Sequence, residues 1–158
     1  MAALHSSPTP QHAWLQRAAG SWYVSCAYYA APGQPPIKVQ GSETVSRVGD
    51  FWTISTFEAD MMGSHIKGHA TLGFDPIAQK FVGTWIDSAT PHLYRFSGSL
   101  DGNRLEMSGE NIDPASGKPA MYRSVEVRDG QQRSFSLHVK VGDQAEFNVL
   151  KYTYTRKP

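Results

Sequence analysis

Two oppositely charged side chains fall on the apolar sides of alternating runs. Alternation of apolar and polar residues is typical of strands with one buried face. Glu43 shares its side of one run with valines, and Arg123 shares its side of another with Met121, Val125 and Val127. A buried charge is costly unless it is paired. The sequence therefore predicts a buried Glu43–Arg123 ion pair that could orient the polar end of a ligand.

Aromatic residues form the second chemical set. Trp85 shares a face with the carboxylate of Asp87, and Tyr94 lies on the next run. Together with Trp52 and Tyr152, these aromatic residues are predicted to form walls around a cavity. Aromatic walls with a few polar tips are typical of small-molecule sites, although a filled core has the same composition. Asp87 has a structural alternative, which is to end its strand by accepting backbone N–H groups.

The histidines do not form a metal-binding pattern. His65 and His69 are four residues apart on one run, about 13 Å at 3.3 Å per residue, too far for both to bind one zinc ion. His92 shares its alternation with Tyr94 and is predicted at the mouth of a cavity. Haem would require one histidine as its axial ligand, and no sequence feature selects one. We expect no metal site and no cofactor.

Motifs of standard enzyme chemistry are absent from the sequence, including the nucleophile elbow, the phosphate loop and the zinc-protease helix. The leading hypothesis is a protein that binds a small, partly apolar ligand. One alternative is a cofactor-independent isomerase, cyclase or decarboxylase with Glu43, Asp87, His69 and His92 as acid–base candidates. Another alternative is an interaction module, including a homodimer. Cys26 is the only cysteine, and its strand-like surroundings predict a buried apolar role.

Composition limits the classes of partner. The chain has 158 residues, with 15 Lys and Arg against 14 Asp and Glu, for a net charge of +1. This near balance argues against nucleic acid and against a polybasic contact with membranes. No cationic and apolar leader opens the sequence, and no apolar run is long enough to span a bilayer. We therefore expect a cytoplasmic protein.

The elements that must position these residues are mostly strands. Thr9 and Pro10 can start a short helix that Gly20 would end, and residues 1–8 are predicted to be a flexible tail before a domain over 9–158. Turn signals divide the remainder into ten predicted strands, near 21–30, 38–48, 51–58, 64–74, 80–87, 92–100, 104–111, 120–128, 133–141 and 145–156. So many strands with short connections favour a single antiparallel up-and-down β-barrel with the helix as a cap. A two-sheet sandwich is the alternative.

Residues at both ends of the chain resemble the calycin superfamily, which includes the lipocalins. In that superfamily a Gly-x-Trp motif opens the first strand, and a basic residue of the last strand covers the indole. The matching positions are Gly20, Trp22 and Arg156. A guanidinium above an indole is a favourable cation–π pair, so the resemblance implies a barrel closed at its base by these three residues.

Short motifs along almost the whole chain resemble a bacterial family known as domain of unknown function 1579. The motifs are His12 with Leu15, Gly20-x-Trp22, Gly73-Phe74-Asp75, Trp85 to Ser88, Gly117-Lys118 and Tyr154-Thr155-Arg156. Their order is more specific than any one of them. The resemblance implies a calycin-like barrel and no established activity.

Overall fold

Ten antiparallel strands close into one barrel in the computed structural model, which describes residues 6–158. One helix precedes them, α1 at Pro10–Gln16. The strands are β1 Gly20–Tyr28, β2 Ile37–Val48, β3 Trp52–Met61, β4 Ser64–Asp75, β5 Lys80–Asp87, β6 Tyr94–Asp101, β7 Arg104–Asp113, β8 Lys118–Asp129, β9 Gln132–Lys140 and β10 Phe147–Arg156. Each strand pairs with the next, and β1 also pairs with β10. The predicted up-and-down barrel of about ten strands with a short helix is confirmed.

The helix lies across one end of the barrel, which we call the base. Thr9 caps it through a capping box with His12, and Pro10 occupies the first turn. His12 reaches the carbonyl of Phe74 at 3.0 Å. The apolar side of the helix is buried, with Leu15 fully covered and Trp14 packed edge-on against Phe81. The predicted tail falls partly on residues 1–5, which lie outside the described residues.

Gly20 begins β1 instead of ending the helix, which already ends at Gln16. Its φ of +134° is accessible to glycine, and a Cβ at this position would lie 2.6 Å from Nη1 of Arg156. That guanidinium sits 4.2 Å above the Trp22 ring and donates to the carbonyls of Arg17 and Ala19. The predicted closure by Gly20, Trp22 and Arg156 is therefore present, and it also holds the helix to the barrel.

The interior face of β8 is opposite to the predicted one. Tyr122, Ser124 and Glu126 point into the barrel, and Met121 and Arg123 lie on its outer surface. The error has a physical reason, because β8 carries buried charges inward and apolar residues outward. On β9 the interior face is apolar from Phe135 to Val139, and the predicted alternation is correct there.

Candidate ligand-binding site

A cavity of about 650 Å³ occupies the barrel interior. It extends from Glu43 and Ala18 near the base to the loops at the opposite end, where Ala30, Ala115 and Ala145 border it. Pockets for small molecules commonly measure about 300–1,000 Å³. The interior is thus not filled by its own side chains, and its size suits a small organic molecule.

Aromatic side chains form much of the wall. Tyr152 stacks on Phe57 with ring centroids 5.3 Å apart and planes 12° apart, and its hydroxyl lies 2.7 Å from that of Tyr28. Burial raises the pKa of both of these phenols, which keeps them neutral. The aromatic residues that line the cavity are Tyr28, Tyr29, Phe57, Trp85, Tyr94, Phe96, Tyr122, Phe135, Phe147, Tyr152 and Tyr154.

Asp87 lines the cavity at the end of β5 with its oxygens already engaged. Oδ2 accepts the indole N–H of Trp85 at 2.8 Å. Oδ1 accepts the backbone N–H groups of Ala89 and Thr90 at 2.9 and 3.2 Å. The structural alternative for Asp87 is therefore the one observed, and this carboxylate fixes both the indole and the start of the next loop.

Four charged side chains form a network at the base of the cavity. Arg133, 7% exposed, donates to Glu43 at 2.6 Å and to Glu126 at 3.1 and 3.2 Å. Arg128 donates to the other oxygen of Glu126 at 2.7 and 2.8 Å. The Arg133 guanidinium also lies 3.9 Å from the ring centroid of Tyr154. We call Glu43, Glu126, Arg128 and Arg133 the base network.

The two carboxylates of the base network are not equivalent. Burial raises the pKa of Glu43, and its one arginine partner offsets this only in part. Burial also acts to raise the pKa of Glu126, but Arg128 and Arg133 outweigh it and hold that pKa below its usual range. Glu43 is therefore the first of the two carboxylates to become protonated as the pH falls.

A family model described as a protein of unknown function, DUF1579, matches residues 7–156. The chain belongs to the DUF1579 family. The resemblance stated from short motifs is thereby confirmed. No curated protein matches this DUF1579 chain.

The fold of this DUF1579 protein is similar to that of a solved structure. Rv2717c from M. tuberculosis is 16% identical, with a TM-score of 0.71, over 96% of this chain and 100% of that one. A redesigned β-barrel is 15% identical, with a TM-score of 0.48, over 97% of this chain and 100% of that one. At this identity, the likeness to Rv2717c shows the fold alone.

The predicted Glu43–Arg123 pair is wrong in one partner. Glu43 is buried as predicted, but it binds Arg133. Arg123 lies on the outer surface of the DUF1579 barrel, where it binds Glu106 at 3.2 Å and Glu146 at 2.6 Å. The reversed face of β8 explains the error, since Arg123 cannot enter the interior from that position.

Trp52 and His92 do not contribute to the cavity, contrary to prediction. Trp52 is 42% exposed on the outer surface, where its ring covers Gly73. His92 precedes β6, which begins at Tyr94 rather than at 92, and it is absent from the cavity lining. Trp85, Asp87, Tyr94 and Tyr152 do line the cavity together with Glu43.

The other histidines of the described chain also lie away from the cavity. His65 contacts Asp60, His69 contacts Thr56 and His138 contacts Ser136, all on the outer surface. His12 is buried in the helix at the base, against the carbonyl of Phe74. Residues 6–158 thus place no imidazole in the lumen as an axial ligand for haem. Within the same residues, no three His, Cys, Asp or Glu side chains are grouped as a metal site requires.

None of the helices described is long and apolar enough to cross a membrane.

Sequence reasoning missed Arg133, Glu126 and Arg128. A signal for Arg133 was available, since it continues the alternation of Phe135 and Leu137 on the interior face of β9. Glu126 and Arg128 had no such signal. The apolar alternation of β8, their own strand, predicted the opposite interior face.

Proposed function

We propose that this DUF1579 protein binds a small, partly apolar molecule inside a calycin-like barrel. The observation that carries the proposal is the cavity of about 650 Å³, lined by aromatic rings and ending at a charged base. Burial of apolar ligand surface would supply most of the affinity, at about 25 cal/mol per Å². One or two charge-assisted hydrogen bonds at the base would orient the ligand.

The acid–base candidates named from the sequence do not converge. His69 and His92 lie away from the cavity, whereas Glu43 and Asp87 line it. These two carboxylates are three strand-to-strand steps apart in one row of paired residues, about 14 Å along the wall. Asp87 is also held by three hydrogen bonds. The arrangement favours binding over catalysis by this pair.

A cavity-filling variant tests the proposal. Leu137 lines the cavity, and Ser134 lies on the exposed face of the same strand. Leu137→Trp should weaken the binding of the neutral fluorophore Nile red by at least about 1.4 kcal/mol, a factor of 10, whereas Ser134→Trp should leave it unchanged. The measurement is a fluorescence titration. Equal binding of Nile red by both variants would refute binding in the lumen.

Native mass spectrometry of the purified protein would identify a retained ligand. A small molecule released on denaturation, and absent from Leu137→Trp, is the expected result. The same molecule on both proteins would place its site outside the lumen.

A further inference from the structure

One carboxylate oxygen in the cavity lacks a hydrogen-bond donor. Within residues 6–158 the cavity is lined by Glu43, Asp87, Asp113 and Glu126. Both oxygens of Asp87, Asp113 and Glu126 accept hydrogen bonds from the protein. Glu43 gives Oε2 to Arg133, and Oε1 has no donor in this part of the chain. Of the carboxylate oxygens in this lining, Oε1 is therefore the one that can accept a hydrogen bond from a ligand without competing with a donor of the protein.

The charges around the cavity favour a cation over an anion. Against four carboxylates, the described lining has two positive groups, Arg128 and Arg133. Both guanidiniums already bind the carboxylates of the base network. An incoming anion would therefore find both arginines already paired and would be repelled by the excess of negative charge. A cation would be attracted by that same excess.

The walls beside Glu43 suit the same kind of ligand. Phe57 is the cross-strand neighbour of Glu43 on the interior face, and the ring of Tyr152 stacks on the ring of Phe57. Aromatic faces attract ammonium groups through cation–π interaction, and the attraction is stronger where the cation is desolvated. A positive group at Oε1 of Glu43 would thus have an ionic partner and an aromatic one.

We propose that the lumen selects organic cations, namely an ammonium or amidinium group on an aromatic or aliphatic body, with the cation at Oε1 of Glu43. This inference rests on the proposed function and specifies its ligand class. The apolar body would extend from Glu43 along the aromatic walls towards the loops at the open end.

Ionisation of Glu43 adds a pH dependence. Facing Glu43 are Arg133 from β9, Glu126 and Arg128 from β8, and Tyr154 from β10. Burial raises the pKa of Glu43, and a bound cation favours its ionised form. Binding should therefore release protons and tighten as the pH rises through the raised pKa, while a neutral ligand should not show this dependence.

Three probes that share one ring system test the charge preference. They are 2-naphthylmethylamine, 2-naphthylmethanol and 2-naphthoate, which are cationic, neutral and anionic near neutral pH. Isothermal titration of the wild type should show the amine binding at least about tenfold more tightly than the alcohol, and the carboxylate binding most weakly. This ranking needs no variant.

Substitution of Glu43 assigns the preference to its carboxylate. Glu43→Gln keeps an oxygen for Arg133 and should remove the advantage of the amine while retaining affinity for the alcohol. Glu110→Gln makes the same change on the exposed face of β7 and should bind all three probes as the wild type does. If Glu43→Gln does not fold, the proposal is tested by the wild-type affinities for the three probes and by the pH dependence of amine binding.

The outcomes separate the two proposals. Equal affinity for all probes, or tightest binding of 2-naphthoate, overturns the cation preference and leaves binding in the lumen standing. Failure of all three probes and of Nile red to bind overturns both proposals. An amine preference that persists in Glu43→Gln overturns the role of Oε1.

Discussion

Removal of the Arg133 guanidinium should destabilise the barrel more than removal of any surface arginine. Arg133→Met keeps much of the side-chain volume but deletes three hydrogen bonds to Glu43 and Glu126. It also deletes the cation above Tyr154. Two buried carboxylates then share one remaining cation, Arg128.

The size of the effect follows from burial. Breaking a buried ion pair from one side costs about 3–5 kcal/mol, because a buried charge is left uncompensated. Arg123 binds two carboxylates as well, but its side chain is 29% exposed and its partners are 46% and 40% exposed. Surface pairs contribute about 0–1 kcal/mol. Arg123→Met is therefore the matched control.

A double variant isolates the uncompensated charge. Arg133→Met with Glu43→Leu removes one positive and one negative group and leaves Glu126 bound to Arg128. Since balanced apolar replacement of a buried pair is often neutral, the double variant should recover about 2 kcal/mol or more of the loss. Urea denaturation followed by tryptophan fluorescence gives the free energies of unfolding. Equal costs for Arg133→Met and Arg123→Met, or no recovery in the double variant, would refute this account of the base network.

Three further predictions concern pH, cavity shape and the thiol. Because burial raises the pKa of Glu43 above its ordinary 4.5, the stability that protonated Glu43 provides is lost as the pH rises through the raised value. Urea titrations above that ordinary value should show a steeper fall with pH in the wild type than in Glu43→Gln; parallel profiles would contradict this. Gly68→Ala places a Cβ in the space of the Trp85 ring and should weaken Nile red binding by roughly 1 kcal/mol, while Gly73→Ala crowds only the outward tryptophan and should not. Burial raises the pKa of Cys26 to about 11, so an aromatic disulfide reagent at neutral pH should modify it in denaturant and not in the folded protein; equal rates in both states would contradict the burial.

Strand number and topology were predictable because they depend on local signals. Turn residues separate ten runs, and the strand ends differ from prediction by a few residues, as at β6, which begins at Tyr94 instead of 92. The interior face of β9 was also predictable. Phe135, Leu137 and Val139 are apolar inward, and the residues between them are polar.

Face assignment fails where the interior itself is polar. On β8 the inward residues include Ser124 and Glu126, and apolar side chains point outward. On β3, likewise, the polar Thr53 and Ser55 point inward and the apolar Trp52 points outward. Alternation of apolar residues then indicates the wrong face. On β8 the inward Glu126 is stabilised by Arg133 of the neighbouring strand, which the pattern of β8 alone does not reveal.

By itself, the sequence determined the antiparallel barrel and the capping helix, and its resemblance to the calycins implied the closure of the base by Gly20, Trp22 and Arg156. These features depend on residues whose neighbours are close in sequence or fixed by the closing β1–β10 pair. Tertiary structure alone decided that Glu43 binds Arg133, 90 residues away, and that Glu43 lines the cavity. Strand pairing around the barrel brings these groups together, and their charges compensate one another only in that arrangement.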